Sequence, residues 1–243
     1  MDVQLLIIFV LLALLAEVLG TVGGFGSSLF FVPIAGYFFD FHSVLGITAL
    51  FHLSSNITKI ALFRQGIDKQ LILYMGIPAI VTVAIGAWVS RYANSHFLEL
   101  ALAVFLTLFS SLLLLFRSYS ISPRPSNAVR GGLVSGFVAG LLGTGGAIRG
   151  IVLSAFQLKM QVFIATSAVI DLGIDFSRSV VYGLNGYIHS SDLYLIPPLF
   201  GASLAGTYIG KRILTRVSED GFRSIVLVLI LGVGLFTLIR YLY

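Results

Sequence analysis

The chain repeats its own glycine pattern. Gly20, Gly23 and Gly26 return as Gly140, Gly143 and Gly146, a shift of 120 positions in 243 residues, and Gly66 returns as Gly186 at the same shift. Thr82, Gly86 and Ser90 fall on Ala202, Gly206 and Gly210. With one gap, at a shift of 119, Pro78 matches Pro197, and His52, Asn56 and Lys59 match Asp171, Asp175 and Arg178. This duplication divides one membrane domain into two repeats, residues 1–120 and 121–243. Paired repeats of this kind typify secondary carriers, which place their substrate between the halves.

The solvent follows from composition. Only 10% of residues are charged and 58% are hydrophobic, whereas a soluble domain carries about a quarter charged residues. Several apolar runs approach the roughly 20 residues that cross a bilayer core as helix. They are too long and too evenly apolar for barrel strands, which alternate with period two. The sequence has no cysteine, which excludes disulfides and thiolate metal sites. The N-terminus lacks the basic region of a cleaved signal peptide and reads as part of the mature chain.

Each half gives the same series of segments. In the first half these are Val3–Thr21, a glycine break, Ser27–Phe39, Ser43–Phe63, Leu71–Val89 and His96–Phe116. In the second they are Ala128–Leu142, a break, Ala147–Gln157, Val162–Tyr182, Leu193–Ile209 and Phe222–Leu242. The basic residues Arg64, Lys69, Arg117, Arg124, Arg130, Lys211, Arg212, Arg216 and Arg223 fall in loops 64–70, 117–130 and 211–223. Loops 91–95 and 183–192 hold one Lys or Arg, Arg91. The positive-inside rule then puts the first three loops in the cytoplasm and both termini outside. The loop after the third segment lies inside in one half and outside in the other, so the halves are inverted. The expected fold is an all-α integral membrane protein of two inverted repeats, each a glycine-broken helical hairpin plus three transmembrane helices. Whether the first two segments of each half are re-entrant or tilted crossings stays open, because both give the same parity.

Three groups of residues can carry chemistry. The breaks Gly23, Gly24, Gly26 and Gly143, Thr144, Gly145, Gly146 bring backbone and helix N-termini toward the membrane centre, where they would favour an anion. The stripes His52, Asn56, Lys59 and Asp171, Asp175, Arg178 run at i, i+4, i+7, each on one helix face. Buried ionisable groups of this kind usually face an interior or a wet cavity. Lys59 and Arg178 are expected to line one central cavity, with Asp175 as the near partner of Arg178. Arg149 follows the second break within a turn, as an oxyanion ligand or the ion-pair partner of Asp171, Asp175 or Glu17. Glu17 is expected to pair with Lys59 or Arg149; the alternative is a protonatable coupling carboxylate. The faces Thr82, Gly86, Ser90 and Ala202, Gly206, Gly210 are packing surfaces. Pro78 and Pro197 are expected near helix starts, where a missing N–H matters little. The sequence contains no phosphate-binding Gly-Lys-Ser/Thr, HExxH or GxSxG motif.

The Gly-rich hairpin followed by a small-residue helix, in Gly20–Asp68 with Gly23-Gly24-Phe25-Gly26 and Pro33, and in Gly140–His189 with Gly143-Thr144-Gly145-Gly146, resembles the sulfite exporter TauE/SafE family across essentially the whole chain. Leu153 stands near where that family often has proline, and the second half's four charged residues exceed the plain family pattern. The resemblance implies a bacterial inner-membrane carrier exporting sulfite, sulfoacetate or a related sulfur oxyanion or organosulfonate.

The function expected is therefore secondary transport of a small anion by alternating access, without enzymatic activity, cofactor or resident metal. Gly23, Gly24, Gly26, Gly143, Thr144, Gly145, Gly146, Arg149, Asn56, Lys59 and Arg178 would bind it. His52, Asp171, Asp175 and Glu17 would tune those cations or carry a coupling proton. The partners expected are the anion and lipid, not nucleic acid, and a homo-oligomer is allowed. Two other readings are a cation or metal carrier, opposed by three fixed positive charges, and a non-transporting scaffold, which leaves the buried charges without purpose.

Overall fold

A computed structural model describes residues 2–24, 26–63, 66–115, 121–214, 216 and 219–242, with the side chains of 219–226 and 240–242 excepted. Phe25, Arg64, Arg117 and the side chain of Arg223 lie outside the described residues. Among those residues the fold is all helical, with five helices in each half. The first half has α1 (Val3–Gly23), α2 (Ser28–Ala35), α3 (Phe41–Leu62), α4 (Lys69–Ser90) and α5 (Ser95–Leu115). The second has α6 (Pro125–Leu142), α7 (Gly146–Ser154), α8 (Met160–Leu184), α9 (Ser190–Leu214) and α10 (Glu219–Leu242). Five of these, α1, α4, α5, α8 and α9, are long and apolar enough to cross a membrane.

The helix ends follow from capping more than from hydropathy. Asp40 accepts from the amides of His42 and Ser43, so α3 starts two residues before the apolar run. Asp68 caps α4 through the amide of Leu71. The second hairpin arms are shorter than the apolar runs: α2 stops at Ala35 and α7 at Ser154, each passing into a turn. Pro78 lies in the first turn of the α-helical stretch Ile77–Ser90, as expected, but that stretch continues α4 from a π-helical one at Ile72–Gly76, the irregularity a missing amide produces in a continuous span. Pro197 lies near an α-helical start, after the 3₁₀ turn Ser190–Leu195.

Helix pairing exchanges partners between the halves. α1 packs on α9, and its counterpart α6 on α4. α3 packs on α8 and α5 on α10, while α3 meets α9 as α8 meets α4. Small residues make these contacts close. A Cβ at Gly86 would stand 2.2 Å from the Phe137 carbonyl oxygen, and one at Gly140 2.1 Å from that of Val83, so α4 and α6 touch backbone to backbone. Gly206 and Gly210 of α9 lie against Glu17 and Thr21 of α1. The spacing read as a packing face is one at both interfaces.

The glycine breaks fold as hairpins. Gly24 ends α1 at φ 70° and Gly143 ends α6 at φ 77°, the left-handed cap that glycine adopts without strain. A Cβ at Gly20 would lie 2.3 Å from Ser27 Cα, so only glycine lets the break turn back along α1. The two tips meet at the centre through a 3.1 Å hydrogen bond between the hydroxyls of Ser28 and Thr144.

Candidate functional site

The two polar stripes touch. Asn56 of α3 donates through Nδ2 to Asp175 Oδ2 of α8 at 2.6 Å, joining repeat-equivalent positions. Around that contact are three ion pairs. Lys59 Nζ lies 2.8 Å from Glu17 Oε1, Arg178 Nη2 lies 2.6 Å from Asp175 Oδ1, and Arg149 Nη2 pairs with Asp171 Oδ2. Every one of these six residues was legible as ionisable in an apolar run, and so was the Asp175–Arg178 pair; for Glu17 and Arg149 the sequence left more than one partner open, and the fold selects Lys59 and Asp171.

Glu17 is enclosed. Besides Lys59 it accepts from Ser27 Oγ at 2.6 Å, Ser55 Oγ at 2.6 Å, Thr207 Oγ1 at 3.0 Å and Thr21 Oγ1 at 3.2 Å. Five donors from α1, the first tip, α3 and α9 saturate a carboxylate, which is acceptor-only when ionised. Ser27 gives its one proton to Glu17, so its oxygen accepts from His52 Nε2 at 3.3 Å. The proton of that imidazole bond therefore sits on Nε2. Ser27, Ser55 and Thr207 escaped the sequence reading. Ser55 lies one turn before Lys59, and Thr207 directly follows Gly206 of the small-residue face, the only signals that pointed to them.

Arg178 serves a different end. Its Nη1 donates to the carbonyls of Gly143 at 2.8 Å and Ala139 at 3.3 Å, at the C-terminus of α6, where a cation complements the helix dipole. Tyr182, one turn on, donates to the Gly140 carbonyl at 2.6 Å and stacks on Tyr187 with ring centroids 5.5 Å apart. Both tyrosines are buried, and Tyr187 also hydrogen-bonds Ser90 and packs on His42. On this side the centre is closed.

The other side has a cleft. Gly20, Thr21, Gly24, Gly26, Lys59, Phe163, Ile164, Ser167, Ala168 and Asp171 line a space of about 310 Å³ that opens at its mouth. Its interior admits roughly one water molecule, given its small enclosed volume. Lys59 lines this cleft and Arg178 does not: the single cavity expected to hold both is instead one cleft and one closed pocket of carbonyls. Arg149 lies behind, donating through Nε to Ser167 Oγ at 3.1 Å. Asp171 stands between Arg149 and the cleft. Its side chain is 21% exposed, against 0% for Glu17 and 3% for Asp175.

The charges balance. Lys59, Arg149 and Arg178 face Glu17, Asp171 and Asp175 one to one. Repulsion by three fixed cations, the objection raised to a cation cargo, therefore fails; what opposes a cation is that Glu17 and Asp175 already have donors on their oxygens.

An all-helical chain with spanning helices around a buried ionic centre, with a narrow cleft at Lys59 and Asp171, has the build of a multi-pass membrane transporter. The model of the family described as sulfite exporter TauE/SafE matches residues 9–237, and the chain belongs to that family. The family is one of transporters, not enzymes. No curated protein and no solved structure matches the chain.

Proposed function

We propose that this protein is a secondary carrier of a small sulfur oxyanion or organosulfonate, sulfite or sulfoacetate in type, in a bacterial inner membrane. The observation that carries this reading is the cleft at the first glycine break, where Lys59, the Ser167 hydroxyl and, one layer back, Arg149 converge in a chain of this family. Lys59 and Arg149 supply charge-assisted donors, and Ser167, whose oxygen accepts from Arg149 Nε, keeps its hydroxyl proton to donate to the anion. Gly24 and Gly26 leave the wall beside them free of side chains. Among the described residues the cation alternative finds no carboxylate pair open to a metal at this cleft.

The exchange of helix partners between halves supports an inverted two-fold relation, and so does the distribution of basic loops. On that relation Arg178 is the counterpart of Lys59. The present arrangement is open on the side of Lys59 and sealed by Tyr182 and Tyr187 on the other. Rocking of the halves would close the first side and expose Arg178 on the second.

In proteoliposomes, radiolabelled sulfite should exchange across the membrane. Arg149→Ala should cut that exchange about tenfold or more, as loss of a charged hydrogen bond of about 1.5–3 kcal/mol implies. Asp171, part-exposed at the cleft, then finds water, so the variant should still fold. Uptake of a divalent metal in place of sulfite would replace this reading with the cation one.

Orientation is tested separately. Single cysteines replacing Ser126 and Ser167 should both react from the cytoplasmic face and resist an impermeant thiol reagent added to intact cells. Labelling of the Ser126 variant from outside would overturn the assignment of loops and of both termini.

A further inference from the structure

We propose that Asp171 is the proton-binding residue that couples anion movement to a proton, so that one anion and one proton cross together. This rests on the anion-carrier reading above.

Charge is the first constraint on what can enter. The buried centre is already neutral, three cations against three carboxylates. An anion entering it adds an unbalanced charge in a medium of low dielectric, an arrangement that groups avoid by neutralising. Either a cation must enter with the anion or one carboxylate must take a proton. Glu17 is fully buried under five donors, and Asp175 is held by Arg178 and Asn56 with its side chain 3% exposed. Asp171 alone of the three lines the cleft, and among the described residues Arg149 is the one partner its carboxylate engages.

The step balances simply. A proton from cleft water binds the Asp171 carboxylate and makes it a neutral acid. The Arg149 guanidinium, no longer matched, is free to take the entering anion, so that pair plus anion and proton remain neutral. On the far side the anion leaves, the proton returns to water, and the Asp171–Arg149 pair re-forms. The sum transported is one anion and one proton, in the direction set by their combined gradients.

The charged and titratable groups facing Asp171 are Arg149 from α7, Lys59 from α3, and Asp175 and Arg178 from its own helix, and His52 of α3 shares Arg149, Lys59 and Arg178 as neighbours. Glu17 of α1 faces it through Lys59. α4, on the other flank of α8, carries its one charged residue, Lys69, at its first position. Among these His52 is the rival proton acceptor, because its ring reaches Ser27 and thus the Glu17 network.

The test uses purified protein in proteoliposomes with two probes, radiolabelled sulfite and methanesulfonate. The second is the anion of a strong acid and brings no proton of its own. A pH step of one unit, acid outside, should accumulate methanesulfonate toward about tenfold, the equilibrium value for one proton per monoanion, while an entrapped dye reports acidification. Asp171→Asn should abolish that accumulation and the dye signal. Exchange of labelled anion at equal pH should remain measurable and lose its pH dependence, which also shows the variant is folded; Asp171→Glu should restore coupling. Accumulation in the wild type that ignores the pH step, or that survives in Asp171→Asn, overturns the proposal while leaving anion transport intact. Loss of coupling in His52→Gln with coupling kept in Asp171→Asn moves the proton to His52 and also overturns it. If neither probe exchanges at all, the anion-carrier reading itself fails.

Discussion

Glu17→Ala is expected to lower stability in mild detergent by about 3–5 kcal/mol, the scale for breaking a buried ion pair from one side. The size follows from what is left behind. Lys59 loses its counter-ion in a site where Ser55 Oγ, at 2.8 Å, is the remaining acceptor. The hydroxyls of Ser27 and Thr207 lose their acceptor in the same step, each an unmade buried hydrogen bond of about 1–3 kcal/mol. Thr21 and Ser55 lie within helices and can turn to carbonyls of the preceding turn. Adding Lys59→Met to Glu17→Ala removes the unpaired charge and should recover part of the loss. It should not recover all of it, because the network joins α1, the first tip, α3 and α9. Thermal unfolding followed by size-exclusion chromatography measures both variants. A single variant as stable as the wild type would mean that Lys59 hydrates through the cleft it lines, and that the network is not what fixes α1 against α3.

Asp175→Ala should be as damaging, and more fully reversible. It leaves Arg178, 2% exposed and facing the Ala139 and Gly143 carbonyls, with an uncompensated charge, again about 3–5 kcal/mol. The double variant Asp175→Asn with Arg178→Gln removes both charges and keeps amide groups able to bond Asn56 and the α6 carbonyls. Its folding should return close to that of the wild type. Transport should not return, if Arg178 is the cation presented on the second side. Wild-type stability in Asp175→Ala would show that the carbonyls at the end of α6 suffice for Arg178. Transport in the double variant would remove Arg178 from the anion's route.

The small-residue contacts set a limit on how such variants fail. α4 and α6 meet through glycines whose absent Cβ atoms would lie 2.1–2.3 Å from opposing carbonyl oxygens. Those interfaces have no slack to absorb a displaced side chain, so a disturbance at the centre is expressed as lost stability and not as local rearrangement.

Much of this protein was written in one dimension. Hydropathy placed the segments, because lipid forbids an unpaired backbone and helices are the local answer. The duplicated glycines marked the hairpin tips, since a left-handed cap, and a backbone so close that an added Cβ would lie 2.3 Å from it, each need a residue without Cβ. Ionisable residues in apolar runs announced the centre, and i, i+3 spacing alone sufficed for Asp175 and Arg178. Tertiary structure decided what spacing could not reach. Glu17 and Lys59 are 42 positions apart, and Thr207 joins them from the other half, so only the packing of α9 against both α1 and α3 brings them together. It also decided that Arg178 turns to carbonyls while Lys59 turns to a cleft. The two are equivalent by repeat, but Asp175 and the end of α6 hold one, and an open wall of glycines lies before the other. Positions matched in sequence become different sites because tertiary packing gives them different neighbours.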